Sequence, residues 1–209
     1  RDIGIDFFPT PKELADRVVE EAGIKDGMKV LEPSAGNGHL ADAAKAAGGT
    51  VDAVEVSSTL RSILEAKGHT LAGDDFMDFN PGEVYDRVVM NPPFSNSLDT
   101  EHVRHAYDLL KPGGRLVAIM SEGPFFRSDK KATGFREWLD ERGGTSEKLP
   151  EGSFNVDQRG LPTTGVATRI VTIDKPSPSL TQSTTASAQE KPKTGEDSPK
   201  PAGNRRETG

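Results

Sequence analysis

The chain contains no cysteine at all. This absence excludes disulfide bonds, thiolate zinc sites and cysteine nucleophiles together. No apolar run approaches the roughly 20 residues that span a bilayer, and the opening Arg1-Asp2-Ile3 does not lead into the apolar region of a signal peptide. The composition therefore predicts a soluble, cytoplasmic protein. The first residue is Arg rather than Met, as expected for a fragment of a longer polypeptide.

Apolar residues are nearly absent from the last part of the chain. After Lys175, Leu180 is the only large apolar residue, and Val, Ile, Met and aromatic residues are missing. Such a composition cannot bury enough apolar surface to offset the entropy lost on ordering. We therefore predict a disordered low-complexity tail over residues 176–209 and one functional domain over residues 1–175, which is a normal domain length.

Positive charge is also scarce in the domain. The chain has 26 Lys and Arg residues against 33 Asp and Glu residues, and leaving out the five basic and four acidic residues of the tail gives residues 1–175 a net charge of −8. This charge argues against strong non-specific binding of nucleic acid by the domain alone. A net charge of this size is still compatible with a local basic surface.

Strand-like and helix-like segments alternate along the domain. Strand patterns occupy residues 28–31, 51–56, 70–72, 86–90, 115–120, 146–149 and 166–173, and helical patterns residues 11–21, 39–47, 59–67, 100–110 and 134–141. Thr10 is predicted to cap the first helix, with Pro11 at the first helical position. The alternation predicts an α/β fold with a mostly parallel, seven-stranded sheet covered on both faces. The last two strands have no helix between them and should form an antiparallel hairpin at one edge.

The first strand runs into Glu32-Pro33-Ser34-Ala35-Gly36-Asn37-Gly38, hereafter the glycine turn. Glycines between a strand and a helix allow a tight turn and a close approach of a ligand to the backbone. The turn lacks the third glycine of a dinucleotide fingerprint and the GK[ST] of a P-loop, which disfavours NAD and ATP. Glu32 suits a ligand that carries a cation, such as an aminoacyl group. The alternative is an ordinary strand-to-helix turn.

Acidic residues follow the next two strands. Glu55 lies 17 positions after Gly38, near the ~20 typical of a carboxylate that accepts hydrogen bonds from both ribose hydroxyls. After the third strand, Asp75 is placed to accept from an adenine amine and Phe76 to cover the adenine ring. The alternatives are a solvated strand end for Glu55 and packing under the sheet edge for Phe76.

The fourth strand ends in Asn91-Pro92-Pro93-Phe94, hereafter the NPPF motif. It falls at the carboxyl edge where open α/β sheets bind ligands. Two consecutive prolines fix the backbone and remove two amide donors, which leaves an acceptor-rich cradle with Phe94 as a stacking face. Such a cradle fits a planar NH₂ group, because accepting its N–H bonds makes the nitrogen a better nucleophile.

In this order and spacing, these motifs resemble class I S-adenosylmethionine-dependent methyltransferases. They are most similar to the DNA adenine-N6 group in which the cofactor half comes first, and the segment over residues 7–11 resembles the one that precedes its methionine-binding turn. The resemblance covers residues 6–174 and implies a Rossmann-like sheet. It implies a cofactor site made of Thr10, Glu32, Pro33, Ser34, Gly36, Asn37, Gly38, Glu55, Val56, Asp75, Phe76 and Asn91. It also implies that Asn91, Pro92 and Pro93 form the catalytic cradle, with Phe94 stacked on the target base.

The chain departs from this family in two respects. Glu32 stands where the family usually carries Asp. No large target-recognition domain follows the last predicted strand. Recognition is then expected from short loops, from another part of a longer polypeptide or from a partner subunit.

A basic segment follows the fifth predicted strand. Phe126, Arg127, Lys130 and Lys131 are candidates to hold a phosphate backbone and an extruded base, and a solvated loop is the alternative. Phe154 falls where the family carries an aromatic residue facing the flipped base, and core packing is its alternative. The four histidines are unclustered along the chain, so no metal site is predicted.

The sequence thus predicts an enzyme that transfers the S-adenosylmethionine methyl group to the exocyclic N6 of adenine in DNA. The alternatives within the same fold are adenine in RNA and the side-chain amide of glutamine in a protein. From a different class, a non-catalytic module of a larger phage or mobile-element protein remains open. The intact NPPF motif argues against that module.

Overall fold

The computed structural model describes residues 9–153 and 166–178. The described part is an alternating α/β structure. Its elements are α1 (Lys12–Ala22), β1 (Lys29–Glu32), α2 (His39–Ala46), β2 (Thr50–Val54), α3 (Ser58–Ala66), β3 (Thr70–Gly73), β4 (Tyr85–Met90), α4 (Leu98–Asp108), β5 (Leu110–Ser121), α5 (Gly123–Phe126), α6 (Lys130–Glu141), β6 (Thr145–Lys148) and β7 (Thr168–Asp174), with short 3₁₀ turns at Phe76–Asp78 and Ser95–Ser97.

These seven strands form one sheet in the order β3-β2-β1-β4-β5-β7-β6. The strands β1 to β5 pair in parallel, whereas β7 runs antiparallel to both β5 and β6. The predicted α/β class, the mostly parallel sheet and the antiparallel C-terminal strands are confirmed. In the sheet β7 lies between β5 and β6, so the later strand of the hairpin is the one that joins the parallel part.

Helices cover both faces of the sheet because the central strands are apolar on both sides. In β4, Val88 and Met90 belong to a core with side chains from α4 and α6, whereas Val89 belongs to a second core with α1 and α2. Successive strand residues point to opposite faces, which divides the strand in this way. The carboxyl ends of β1, β2 and β4 are thereby held side by side, since β1 pairs with both of the others.

The start of α1 corrects one sequence prediction. Pro11, not Thr10, is the N-cap residue, with extended backbone (φ −57°, ψ 147°), and no side chain caps this helix. The helix therefore begins at Lys12, and the Thr10 hydroxyl is engaged elsewhere.

The segment after β5 also differs from the sequence prediction. Helix α6 begins at Lys130, four residues before the predicted start, because the Asp129 carboxylate accepts a hydrogen bond from Ala132 N at 3.0 Å. This is an ordinary N-cap. Lys130 and Lys131 therefore lie in the first turn of a helix instead of in a loop. A short helix over Gly123–Phe126, which the sequence pattern did not predict, precedes them.

Candidate functional site

A cavity of about 430 Å³ opens at the carboxyl ends of β1, β2 and β4. Residues from the glycine turn, from the ends of β2 and β3 and from the NPPF motif line it together. The lining residues that the sequence predicted are Thr10, Glu32, Pro33, Ser34, Gly36, Asn37, Glu55, Val56, Asp75, Phe76, Asn91 and Pro93. Gly38, Pro92 and Phe94 are not among the lining residues.

The backbone conformation of the glycine turn requires glycine at two positions. Gly36 and Gly38 have φ values of 55° and 94°, a backbone region that residues other than glycine rarely adopt. A Cβ on Gly38 would come within 3.0 Å of Leu64 and 3.3 Å of His69. Gly38 therefore faces α3 and shapes the turn without lining the cavity.

The Glu55 side chain is fixed by two backbone donors. Its Oε1 accepts from Gly36 N at 2.9 Å and its Oε2 from Ser57 N at 2.7 Å, and only 9% of the residue is exposed. A carboxylate has about four lone-pair sites, so two remain for a ligand. Glu55 thus ties the glycine turn to the end of β2 and can accept bonds from a diol in the cavity.

Glu32 is a buried acid at the floor of the cavity. It is 1% exposed, and Oε2 accepts from Ser34 N at 3.1 Å. Burial raises the pKa of the Glu32 carboxyl well above its usual range, the negative charge of Glu55 adds to the rise, and backbone N–H bonds from Ser34 and Asn91 oppose it. A cationic ligand group beside Glu32 would favour its ionised form.

The residues after β3 form one end of the cavity. Asp75 caps the 3₁₀ turn at Phe76–Asp78 by accepting from Met77 N at 3.1 Å. The Phe76 ring is 4% exposed and lies tilted against His102 and His105, with ring centroids 5.4 Å and 4.7 Å away. Phe76 therefore belongs to the core and also forms part of the cavity wall.

The NPPF motif meets the amino-terminal segment at the opposite end of the cavity. Asn91 Nδ2 donates to Thr10 Oγ1 at 3.1 Å, and Thr10 is only 5% exposed. Pro92 is buried, and Phe94 packs on the core shared by α1 and α2. The motif therefore presents Asn91 and Pro93 to the cavity, while Phe94 rests against the protein.

Several lining residues were not predicted from the sequence. They are Pro9, Ala35, His39, Leu40, Val54, Ser57, Leu60, Asp74, Leu98 and His102. His39 directly follows the glycine turn, and this position could have signalled its role. His102 lies on α4, and no local pattern indicates which side of that helix meets the cavity. Burial lowers the pKa of His102, which favours the neutral form of its ring.

Four predicted substrate-binding residues do not line the cavity: Phe126, Arg127, Lys130 and Lys131. Phe126 is 71% exposed. Lys131 donates to Asn96 O at 2.8 Å and lies 3.5 Å from Glu101, so it links α6 to the loop that follows the NPPF motif. Arg127 and Lys130 are exposed. Phe154 lies outside the described residues.

The described residues contain neither a cluster suited to a metal ion nor a helix suited to a membrane. No group of three or more His, Cys, Asp and Glu side chains in residues 9–153 and 166–178 has a geometry that could hold a metal ion. Among the helices of these same segments, none is long and apolar enough to cross a membrane.

Comparison with known proteins identifies the family of this arrangement. A family profile described as a methyltransferase domain matches residues 9–154, well over half of the chain and all of the cavity. The chain belongs to the methyltransferase domain family. The methyl donor that this family implies is S-adenosylmethionine.

Individual proteins agree with this assignment. The methyltransferase domain is 31% identical to an uncharacterized methyltransferase of Bacillus cytotoxicus over 108 residues, which are 49% of this chain and 51% of that protein. The chain therefore spans about half the length of this relative. Among solved structures, it resembles the methyltransferase subunit of a type I restriction-modification system from Streptococcus thermophilus (TM-score 0.66, 21% identity, 80% of this chain and 45% of that one). It also resembles a candidate RNA methyltransferase from Pyrococcus horikoshii (TM-score 0.63, 20% identity, 82% and 89%). At these identities the two structures show a shared fold.

Proposed function

We propose that this methyltransferase domain transfers a methyl group to the exocyclic N6 of adenine in DNA. The observation that carries the proposal is the position of the NPPF motif. Its Asn91 and Pro93 line the same cavity as Glu55 and Asp75, so a target amine held by the motif would face a cofactor held by the two acids. The likeness to a type I restriction-modification methyltransferase subunit supports DNA as the substrate.

The cavity residues fit the parts of S-adenosylmethionine. Glu55 has lone pairs available for the ribose hydroxyls, Asp75 lies beside the Phe76 wall for the adenine, and Glu32 can neutralise the amino group of the methionine part. When bound, the cofactor supplies a methyl group on a positively charged sulfur. A cavity of about 430 Å³ lies within the range of ~300–1,000 Å³ for small-molecule sites.

The chain's own contribution to the transfer is positioning and fixed hydrogen-bond acceptors. The Asn91 amide oxygen would accept one N–H bond of the target amine, and a backbone carbonyl of the NPPF motif would accept the other. Accepting these bonds would release the N6 lone pair from conjugation with the ring, so that it could take the methyl group that bound S-adenosylmethionine would supply, with the S–C bonding electrons remaining on sulfur. One amine proton leaves to solvent. No covalent enzyme intermediate is required.

The substrate class is tested by methyl transfer from labelled S-adenosylmethionine to DNA, RNA and protein in parallel, followed by nuclease digestion. We expect label in N6-methyladenine from DNA. Label in adenine from RNA or in glutamine would replace DNA as the substrate. The RNA arm has its own support in the fold likeness to the P. horikoshii protein. Label in none of the three, together with normal binding of S-adenosylhomocysteine, would favour a non-catalytic module.

The raised pKa of Glu32 gives a pH-dependent prediction. A cation bound beside Glu32 lowers the pKa of this carboxyl again, so cofactor binding should release a proton wherever the free protein holds Glu32 protonated. Affinity should therefore rise with pH until the free carboxyl is ionised. Calorimetry in two buffers of different ionisation enthalpy measures the proton released.

The matched variant for this prediction is Glu32→Gln, which keeps the shape and removes the titration. It should bind S-adenosylhomocysteine more weakly and show no buffer dependence. Proton release that persists unchanged in Glu32→Gln would assign the titration to another group.

A third prediction concerns the basic turn of α6. Lys130→Gln combined with Lys131→Gln should weaken DNA binding and reduce the slope of log affinity against log salt by about 2, if each lysine neutralises one phosphate. Cofactor affinity should stay unchanged, since neither residue lines the cavity. Binding of a labelled duplex at four salt concentrations measures the slope.

The control for this pair is Lys25→Gln. Lys25 is an exposed lysine that precedes β1, at the amino ends of the parallel strands and away from the cavity. Lys25→Gln should leave the salt slope unchanged. Equal salt slopes for the double variant and the parent would show that the basic turn of α6 does not bind the DNA phosphates.

A further inference from the structure

A chain of side-chain hydrogen bonds connects the glycine turn to the NPPF motif. Asn37 Nδ2 lies 3.2 Å from His39 Nε2, and His39 Nδ1 contacts the backbone oxygen of Thr10. Thr10 Oγ1 in turn accepts from Asn91 Nδ2 at 3.1 Å. The two motifs are 54 positions apart in sequence, from Asn37 to Asn91. In the structure, successive contacts through His39 and Thr10 connect the two motifs.

The donor and acceptor roles along this chain are determined by chemistry. A backbone carbonyl only accepts, so His39 must carry its proton on Nδ1 to bond Thr10 O. Nε2 of the neutral ring is then an acceptor, which matches the Nδ2 donor of Asn37. At the other end, an amide nitrogen only donates, so the Thr10 hydroxyl is the acceptor for Asn91. Every contact is consistent with one tautomer and one set of amide orientations.

The Thr10 bond has a consequence for the Asn91 amide. An amide that donates to Thr10 through Nδ2 has its Oδ1 on the other branch of the same plane, directed away from the hydroxyl. After a rotation by 180°, Oδ1 would face Thr10 and the hydroxyl would have to donate instead of accept. Thr10 is buried, which makes water a poor substitute for the Asn91 contact. In the orientation that the structure shows, Thr10 accepts from Nδ2 and so leaves Oδ1 on the side away from Thr10.

We propose that Thr10 is a positioning residue that holds the Asn91 amide with its oxygen toward the target amine, and that His39 fixes Thr10 in place for this task. The proposal rests on the proposed function, since the acceptor role of Asn91 is part of it. It differs from the sequence-based expectation, in which Thr10 is a contact of the cofactor. The two roles lead to opposite kinetic results.

Thr10→Val, which removes only the hydroxyl, separates the two roles. As a positioning residue, Thr10 should be needed for the rate and not for cofactor binding. We expect single-turnover methyl transfer at saturating cofactor to fall by about 10–100-fold, because small displacements of a reacting group cost up to ~10²-fold. The Kd for S-adenosylhomocysteine should stay within about threefold, and Thr10→Ser should restore the rate. A Kd raised tenfold or more with an unchanged saturated rate would make Thr10 a cofactor contact and overturn the proposal.

Two controls distinguish positioning from loss of fold. Thr100→Val removes another buried hydroxyl, whose bond goes to Ser97 O at 2.7 Å, and Thr100 does not line the cavity. It should lower the melting temperature without the loss of rate seen for Thr10→Val. In a double-mutant cycle, Thr10→Val should cost nothing further once Asn91 is Ala. A cost of the same size in both backgrounds would mean that Thr10 acts independently of Asn91.

A spectroscopic measurement remains informative if the proposed function fails. The side-chain NH₂ signals of Asn91 can be assigned in a ¹⁵N spectrum by their loss in Asn91→Asp. We expect them to shift in Thr10→Val and to return in Thr10→Ser, with no change in Thr100→Val. Signals unmoved by Thr10→Val would show that the hydroxyl does not hold the amide, whatever the substrate is.

Discussion

Replacing Asn91 by alanine is expected to lower the single-turnover rate of methyl transfer by about 10²–10³-fold, the cost of losing one preorganised hydrogen-bond group. The amide lies at the end of β4, where it lines the cavity and contacts Thr10. S-Adenosylmethionine affinity should stay within about threefold, which is less than ~1 kcal/mol. Rapid-quench methyl transfer beside a cofactor titration measures both quantities.

The conservative partner of this variant is Asn91→Asp, which keeps an oxygen acceptor and replaces the amide donor. It should retain more activity than Asn91→Ala, provided that Thr10 donates to the new carboxylate. Methyl transfer by Asn91→Ala at the parent rate would show that the amine-cradle mechanism is wrong, independently of the fold.

The second large effect is expected for Glu55→Ala, which should raise the Kd for S-adenosylhomocysteine by about 10–150-fold. This factor corresponds to about 1.5–3 kcal/mol for charge-assisted hydrogen bonds to the ribose. The substitution also leaves Gly36 N and Ser57 N without the acceptor that they have now. The loosened glycine turn should therefore add to the effect. Calorimetric titration gives the Kd.

Asp52→Asn is the matched control for Glu55→Ala. Asp52 is an acid on β2, the strand that Glu55 follows. It accepts from the Tyr85 hydroxyl at 2.8 Å and does not line the cavity. Asp52→Asn should change the free energy of unfolding and leave the Kd for S-adenosylhomocysteine unchanged. A Kd for Glu55→Ala within twofold of the parent would exclude Glu55 from the ribose site.

The positions at strand ends were the part of the site that the sequence could predict. Glu32, Glu55 and Asn91 each end or directly follow a strand, and the carboxyl ends of parallel strands meet at one edge. Their place at one edge of the sheet follows from the βαβ alternation. Their convergence on one cavity also requires the strand order, in which β1 lies between β2 and β4.

The helical contributions to the site were not predictable in the same way. Whether His102 reaches the cavity depends on how α4 is rotated on the sheet, and that rotation is set by packing of the whole helix. Gly38 shows the reverse case. It belongs to the glycine turn in sequence, but its left-handed backbone turns it toward α3. The sequence pattern predicted where the turn lies. It could not predict which residues of the turn line the cavity and which pack against the protein.

The placement of β7 between β5 and β6 has a consequence for how the nascent chain folds. Each of the seven β7 residues pairs with a residue of β5, from Arg115 with Asp174 to Ser121 with Thr168. During synthesis, β5 is therefore complete about 50 residues before β7, and its apolar edge stays unpaired until β7 has been made. Non-local pairing of this kind slows folding and exposes aggregation-prone strands. We therefore expect a chain that stops before residue 168 to aggregate more readily than one that includes β7, as light scattering of the two would show.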